Sequence, residues 1–141
     1  MPGLKPNEQE LIKLAHSPNT GPVVMVNLLR FKSGNPRNEQ GSAEGGPGVG
    51  EEAYVSYLRH AAPMVGAVGG RLLWQGRADE YLMGDTSDRW DRVVLVEYPS
   101  RSAFLELVNT PEFQALQGER EAGLEAMALI STTAIQGASA Q

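Results

Sequence analysis

Residues 90–104, WDRVVLVEYPSRSAF, leave little freedom in how the chain can fold. Val93, Val94, Leu95 and Val96 form an unbroken aliphatic run, which suits a strand covered on both faces. Pro99 ends that strand, and the Ser100 hydroxyl can cap a helix that enters the apolar pair Phe104 and Leu105. Glu97 and Tyr98 stand inside the strand, a carboxylate and a phenol that packing alone does not select. The remaining segments have to supply the two layers that cover this strand.

Residues 7–15 read as a short helix with Asn7 as cap and Leu11, Ile12 and Ala15 on one side, stopped by Ser17, Pro18 and Asn19. Residues 22–31 (PVVMVNLLRF) are the first strand. Alternation sets Val23, Met25, Asn27, Leu29 and Phe31 against Val24, Val26, Leu28 and Arg30, so both faces are mainly apolar. Residues 33–50, rich in Gly, Pro, Asn and Ser, read as a long loop, of the kind that is usually functional or disordered. A helix over residues 51–68 puts Tyr54, Tyr57, Leu58, Ala61 and Val65 on one face. Pro63 is expected to kink or split it, and Gly69 and Gly70 to end it. Residues 71–77 (RLLWQGR) form a second strand, paired as an antiparallel hairpin with the third, which begins at Asp91. Helices follow over 100–108 and, from the Thr110 cap and Pro111, to about residue 125; the last strand spans 127–135 and the tail after it should fray.

This order, a helix followed by βαββαβ, predicts an α+β fold of the ferredoxin-like kind: a four-stranded antiparallel sheet with two main helices on one face and an extra N-terminal helix. The 141 residues make one domain, with its core at about 22–136. Helices on one face leave an apolar sheet face of several hundred Å2 bare, more than soluble monomers usually show. A homodimer packed sheet to sheet, a dimeric α/β barrel, is therefore expected.

A net charge of −5 argues against nucleic acid as a partner. No apolar run reaches the roughly 20 residues that span a bilayer, and the first ten residues lack the apolar centre of a signal peptide. With no cysteine there are no disulfides, thiol nucleophiles or thiolate metal sites. A cytoplasmic protein without membrane contact is expected.

With NLLRFK at 27–32, GGRLLWQG at 69–76, WDRVVLVEYPSR at 90–101 and PEFQALQGER at 111–120, the chain resembles family 1330 of the domains of unknown function over residues 23–135. The resemblance implies membership of the dimeric α/β-barrel superfamily. That superfamily includes small cofactor-free monooxygenases, lactone isomerases, polyketide cyclases and haem enzymes. The N-terminal helix and the Gly-rich insertion look like additions to the family core.

Several residues are candidates for chemistry. Glu97, buried in a strand, must reach solvent, pair with a cation or keep a proton. Facing a cavity it could act as a general base; otherwise it pairs with Arg30, Arg71 or Arg92. Arg30 could clamp an anion with two hydrogen bonds, or form a salt bridge at the strand end. Histidine is the residue type best suited to proton transfer near neutral pH, which makes His60 the second candidate base, although beside Arg59 it also reads as a surface residue. Asn27, Tyr57, Trp74 and Tyr98 are candidate ligand contacts, each with a packing or backbone-bonding alternative.

The run GGPGVGEE at 45–52 is no phosphate loop, because Glu51 and Glu52 occupy the helix start where an anion would bind. They serve the helix dipole instead. No metal-binding spacing of histidines occurs, and no cofactor is expected. The functional expectation is a cofactor-independent enzyme acting on a small organic acid or aromatic by proton transfer, isomerisation or oxygenation. The alternatives are a non-catalytic binder of such a molecule, or a structural dimer with a filled interior.

Overall fold

Four strands, β1 (Val23–Phe31), β2 (Arg71–Arg77), β3 (Arg92–Tyr98) and β4 (Leu124–Thr132), form one antiparallel sheet in the order β2-β3-β1-β4. The computed structural model describes residues 4–32 and 48–135. Residues 33–47, most of the expected Gly-rich loop, lie outside the described residues, as does the tail expected to fray. The helices are α1 (Glu8–Ala15), α2 (Val49–Ala67), α3 (Arg101–Val108), α4 (Pro111–Ala115) and α5 (Gln117–Gly123). This is the expected ferredoxin-like α+β arrangement.

The strand parity read from the sequence assigns the faces. Val23, Met25, Leu29 and Phe31 of β1 are buried, as are Val94 and Tyr98 of β3. They pack in two clusters beneath the helices. One joins Leu29, Phe31, Val94 and Leu124 to Tyr54, Tyr57 and Ala61 of α2; the other joins Val23, Met25 and Tyr98 to Ala103, Phe104 and Leu107 of α3. Asn7 precedes α1 as expected but makes no side-chain capping bond, whereas the two later caps work as their residue types require. The Ser100 hydroxyl accepts from the Ala103 N–H at 3.1 Å, and the Thr110 hydroxyl accepts from the Phe113 N–H at 3.2 Å.

Several boundaries differ from the sequence reading. Residues 49 and 50, expected in the loop, already belong to α2. That helix runs on through Pro63 as one element rather than two. The last helical stretch breaks at Leu116 and ends at Gly123, not 125. β4 consequently starts at Leu124, pairing with Phe31 across a bulge, and stops at Thr132. The packing at this end admits only glycine: a Cβ at Gly123 would collide with the Gly50 carbonyl and lie 3.1 Å from the Tyr54 nitrogen. α2 and the α5–β4 junction thus touch backbone to backbone.

The simplest sequence reading of Arg101 and Arg120, that each neutralises an acid on the helices, holds for Arg120, which lies 3.5 Å from Glu121 Oε2 on α5, and not for Arg101. The Arg101 guanidinium donates to the Thr133 hydroxyl at 2.9 Å. Arg120 is buried and donates to the Leu4 carbonyl at 2.8 Å, the Gln117 carboxamide oxygen at 2.7 Å and the Met127 sulfur at 3.3 Å, fastening residue 4 to the helical layer.

The other sheet face has no helix. By register Val24, Val26 and Leu28 share it with Val93, Leu95, Ala128 and Ile130. A bulge between Leu72 and Trp74 breaks the two-residue alternation of β2, setting Trp74 opposite Leu95 on the open face and Leu72 opposite Val96 on the helix face. Trp74 remains 55% exposed there. Between β2 and β3 the chain projects Leu82 and Met83, 90% and 91% exposed, just before Gly84 at a φ of 102°.

Candidate functional site

Glu51 owes its position to Gly50. A Cβ on residue 50 would lie 2.5 Å from the Lys32 carbonyl oxygen and 2.6 Å from that of Gly123. Only glycine lets the first turn of α2 sit this close to the ends of β1 and α5. The next side chain, Glu51, then points down towards the sheet. Its Oε2 accepts from Arg92 Nη2 at 2.6 Å, with the two side chains 9% and 19% exposed.

Arg92 opens β3, and parity places it on the helix face with Val94 and Tyr98. Its Nη1 donates to Gln75 Oε1 at 3.3 Å, and its guanidinium stands 5.7 Å from the centre of the Phe31 ring. Asp91, one residue earlier, knits the strand ends together. Its Oδ2 accepts from the Phe31 N–H at 2.8 Å, its own N–H donates to the Leu29 carbonyl at 2.6 Å, and its carbonyl accepts from the Ala78 N–H at 3.0 Å.

These groups wall a cleft of about 200 Å3 at the end of the sheet, beneath the start of α2. Phe31, Glu51, Asp91 and Arg92 form one side, and Gln75, Gly76 and Arg77 the other. Arg77 is exposed and lies directly opposite Arg92 in the β2–β3 register. Among the described residues it has no hydrogen-bonding or ion-pair partner. The cleft combines a buried ion pair, a second guanidinium, a carboxamide and one aromatic edge, which suffices to orient a small polar ligand.

The residues singled out in the sequence fall into three places. Glu97, Trp74 and Arg30 share the open face. There Glu97 Oε1 accepts from Arg71 Nε at 2.9 Å, and the Trp74 indole folds over Gly76, where a Cβ would collide with the ring. Arg30 lies over the Trp90 ring at 5.6 Å and 3.5 Å from Glu125 Oε1.

Asn27, Tyr57 and Tyr98 are on the helix face. Asn27 Nδ2 donates to the Val94 carbonyl at 3.2 Å. Tyr57 packs against Tyr54 at 5.5 Å and Phe113 at 6.4 Å, and Tyr98 against Phe104 at 5.3 Å. Burial pushes the phenols of Tyr54, Tyr57 and Tyr98 above the ordinary tyrosine range.

His60 is exposed on α2, with Nδ1 3.3 Å from Glu119 Oε1. Glu97 and His60 therefore lie on opposite sides of the sheet, and one chain does not bring them to the same ligand. None of these residues lines the cleft. A signal for the cleft was available in the sequence: Arg92 shares the parity of Val94 and Tyr98, so it needs an acid from the helical layer, and Glu51 is in the first turn of the helix above.

A four-stranded antiparallel sheet backed by helices in βαββαβ order makes this a ferredoxin-like α+β protein. Within that class the chain belongs to the family of the domain of unknown function 1330, whose model matches residues 49–133. It is similar to RPA0582, a protein of unknown function from Rhodopseudomonas palustris. The likeness is 28% identity and a TM-score of 0.79 over 96% of this chain and 99% of that one. The methylated form of the same protein aligns at 30% identity with a TM-score of 0.79, over 97% and 98%. SnoaB, a cofactor-independent oxygenase from Streptomyces nogalater, shares the fold at 16% identity and a TM-score of 0.51, over 82% of this chain and 95% of that one. No curated protein matches the chain. Among the described residues no helix is long and apolar enough to cross a membrane, and no cluster of three or more His, Cys, Asp or Glu side chains could hold a metal.

Proposed function

We propose that the chain is a small-molecule-binding protein that works as a homodimer of single-domain subunits, with the cleft beneath the start of α2 as its ligand site. One observation carries this reading: the buried Glu51–Arg92 pair opens onto that cleft. A buried ion pair stabilises a fold no better than well-packed apolar side chains of the same volume. Lining a cavity, it supplies the fixed donors and acceptors that a ligand site needs. A thermal-shift screen against small carboxylates and phenols tests the proposal. A ligand present at 100 times its Kd adds about 2.7 kcal/mol and raises the melting temperature by several degrees. Silence across the whole panel would remove the binding reading.

A second reading is carried by the open face, whose aliphatic floor holds Trp74 opposite Leu95, with Glu97 opposite Val24 towards one end of β1 and Arg30 at the other. Two copies packed through that face would enclose these residues in a shared chamber, where Glu97 could serve as base and Arg30 could hold an anion. Turnover without a cofactor, by proton transfer, isomerisation or oxygenation, would follow. The fold shared with a cofactor-independent oxygenase supports the class of chemistry, and His60 stays outside this chamber. Sedimentation is expected to give a dimer at micromolar concentration. Leu95→Lys, which puts a charge at the centre of the open face between Val26 and Trp74, is expected to give monomers. A monomeric parent protein would eliminate the chamber.

A further inference from the structure

We infer that the ligand of the cleft is a small monocarboxylate anchored by Arg77; this rests on the cleft being the ligand site. Arg77 and Arg92 face each other directly across β2 and β3, and like charges so placed repel. Glu51 neutralises Arg92 from the helix side. Arg77 receives no such partner from the described residues, so its planar fork of five donors stays available, and a carboxylate matches that fork with two parallel hydrogen bonds.

Gln75 adds a further donor. Its carboxamide oxygen already accepts from Arg92, so the NH2 group is the part left to meet a ligand. Asp91 does not compete for Arg77 through Oδ2, which is held by the Phe31 N–H.

Charge and size narrow the class. Glu51, Asp91, Arg77 and Arg92 sum to zero, so a single negative charge is accepted. A dianion such as a phosphate ester would meet two carboxylates in the same walls. A volume of about 200 Å3 is below the roughly 300–1,000 Å3 of sites for drug-sized ligands. The Phe31 ring supplies one apolar surface for the rest of the acid.

The test is calorimetric titration of the full chain with benzoate and with benzamide, which keeps the shape and drops the charge. Benzoate is expected to bind at least about tenfold more tightly. Arg77→Gln is expected to lose about tenfold or more of the benzoate affinity and none of the benzamide affinity. Arg71→Gln, on the other face, is expected to leave both unchanged. Because Arg77 has no partner to lose among the described residues, its variant should melt no lower than the parent. Equal binding of the two probes, or benzoate binding indifferent to Arg77→Gln, overturns the carboxylate inference and leaves the cleft standing. If neither probe binds while neutral phenols do, the inference alone falls. If nothing binds, the cleft reading falls with it.

Discussion

Glu51→Ala is expected to destabilise the protein by about 3 kcal/mol and to lower its melting temperature by about 10 °C. The carboxylate and its arginine are 9% and 19% exposed, so truncating one partner leaves the other charge poorly hydrated. The remaining link from Arg92 to Gln75, at 3.3 Å, is a weak replacement. Glu51→Gln should cost less, since an amide oxygen still accepts from Arg92. The double change Glu51→Leu with Arg92→Met should recover most of the loss, because two apolar side chains need no counter-charge. Binding separates the variants: the double change restores stability but not ligand affinity. A melting temperature for Glu51→Ala within about 2 °C of the parent would mean that water reaches the pair freely.

Gly50→Ala is expected to cost about 3 kcal/mol or more, at the upper end for overpacking. The added methyl would lie 2.5 Å from one backbone carbonyl oxygen and 2.6 Å from another, and neither can rotate away as a side chain could. The start of α2 must then lift off β1 and the α5–β4 junction, carrying Glu51 with it. Stability and cleft binding should fall together, unlike Arg77→Gln, which is expected to affect binding alone. Gly66→Ala, in the same helix with open space around the added methyl, is the control and should be neutral or slightly stabilising. Chemical denaturation of the two variants measures the contrast, and equal midpoints would show that the close approach is not needed.

What could be read from the sequence divides by range. Ser100 and Thr110 bond to N–H groups three residues ahead, so their capping roles are local and visible in the residue types. The two-residue period of β1 and β3 is equally local, and it placed Asn27 and Arg30 on opposite faces. The order of elements then sufficed for the ferredoxin-like topology. The cleft was not legible in the same way. Glu51 and Arg92 are 41 positions apart, and they meet only because Gly50 and Gly123 allow two backbones to touch. Read alone, each had a sufficient local explanation, Glu51 in the helix dipole and Arg92 as a partner for Glu97. The β2 bulge hid the face of Trp74 for a related reason: one unpaired residue reverses a parity count, and nothing in RLLWQGR marks where it falls.

The projecting turn between β2 and β3 has a chemical consequence. Met83 offers its thioether to solvent, whereas Met25 is sealed under α3 at 2% exposure. A peroxide arriving from outside reaches Met83 before Met25, and the sulfoxide forms where no packing depends on an apolar side chain. Oxidative damage is thus taken at the rim of the molecule and spares the sulfur on which the interior relies.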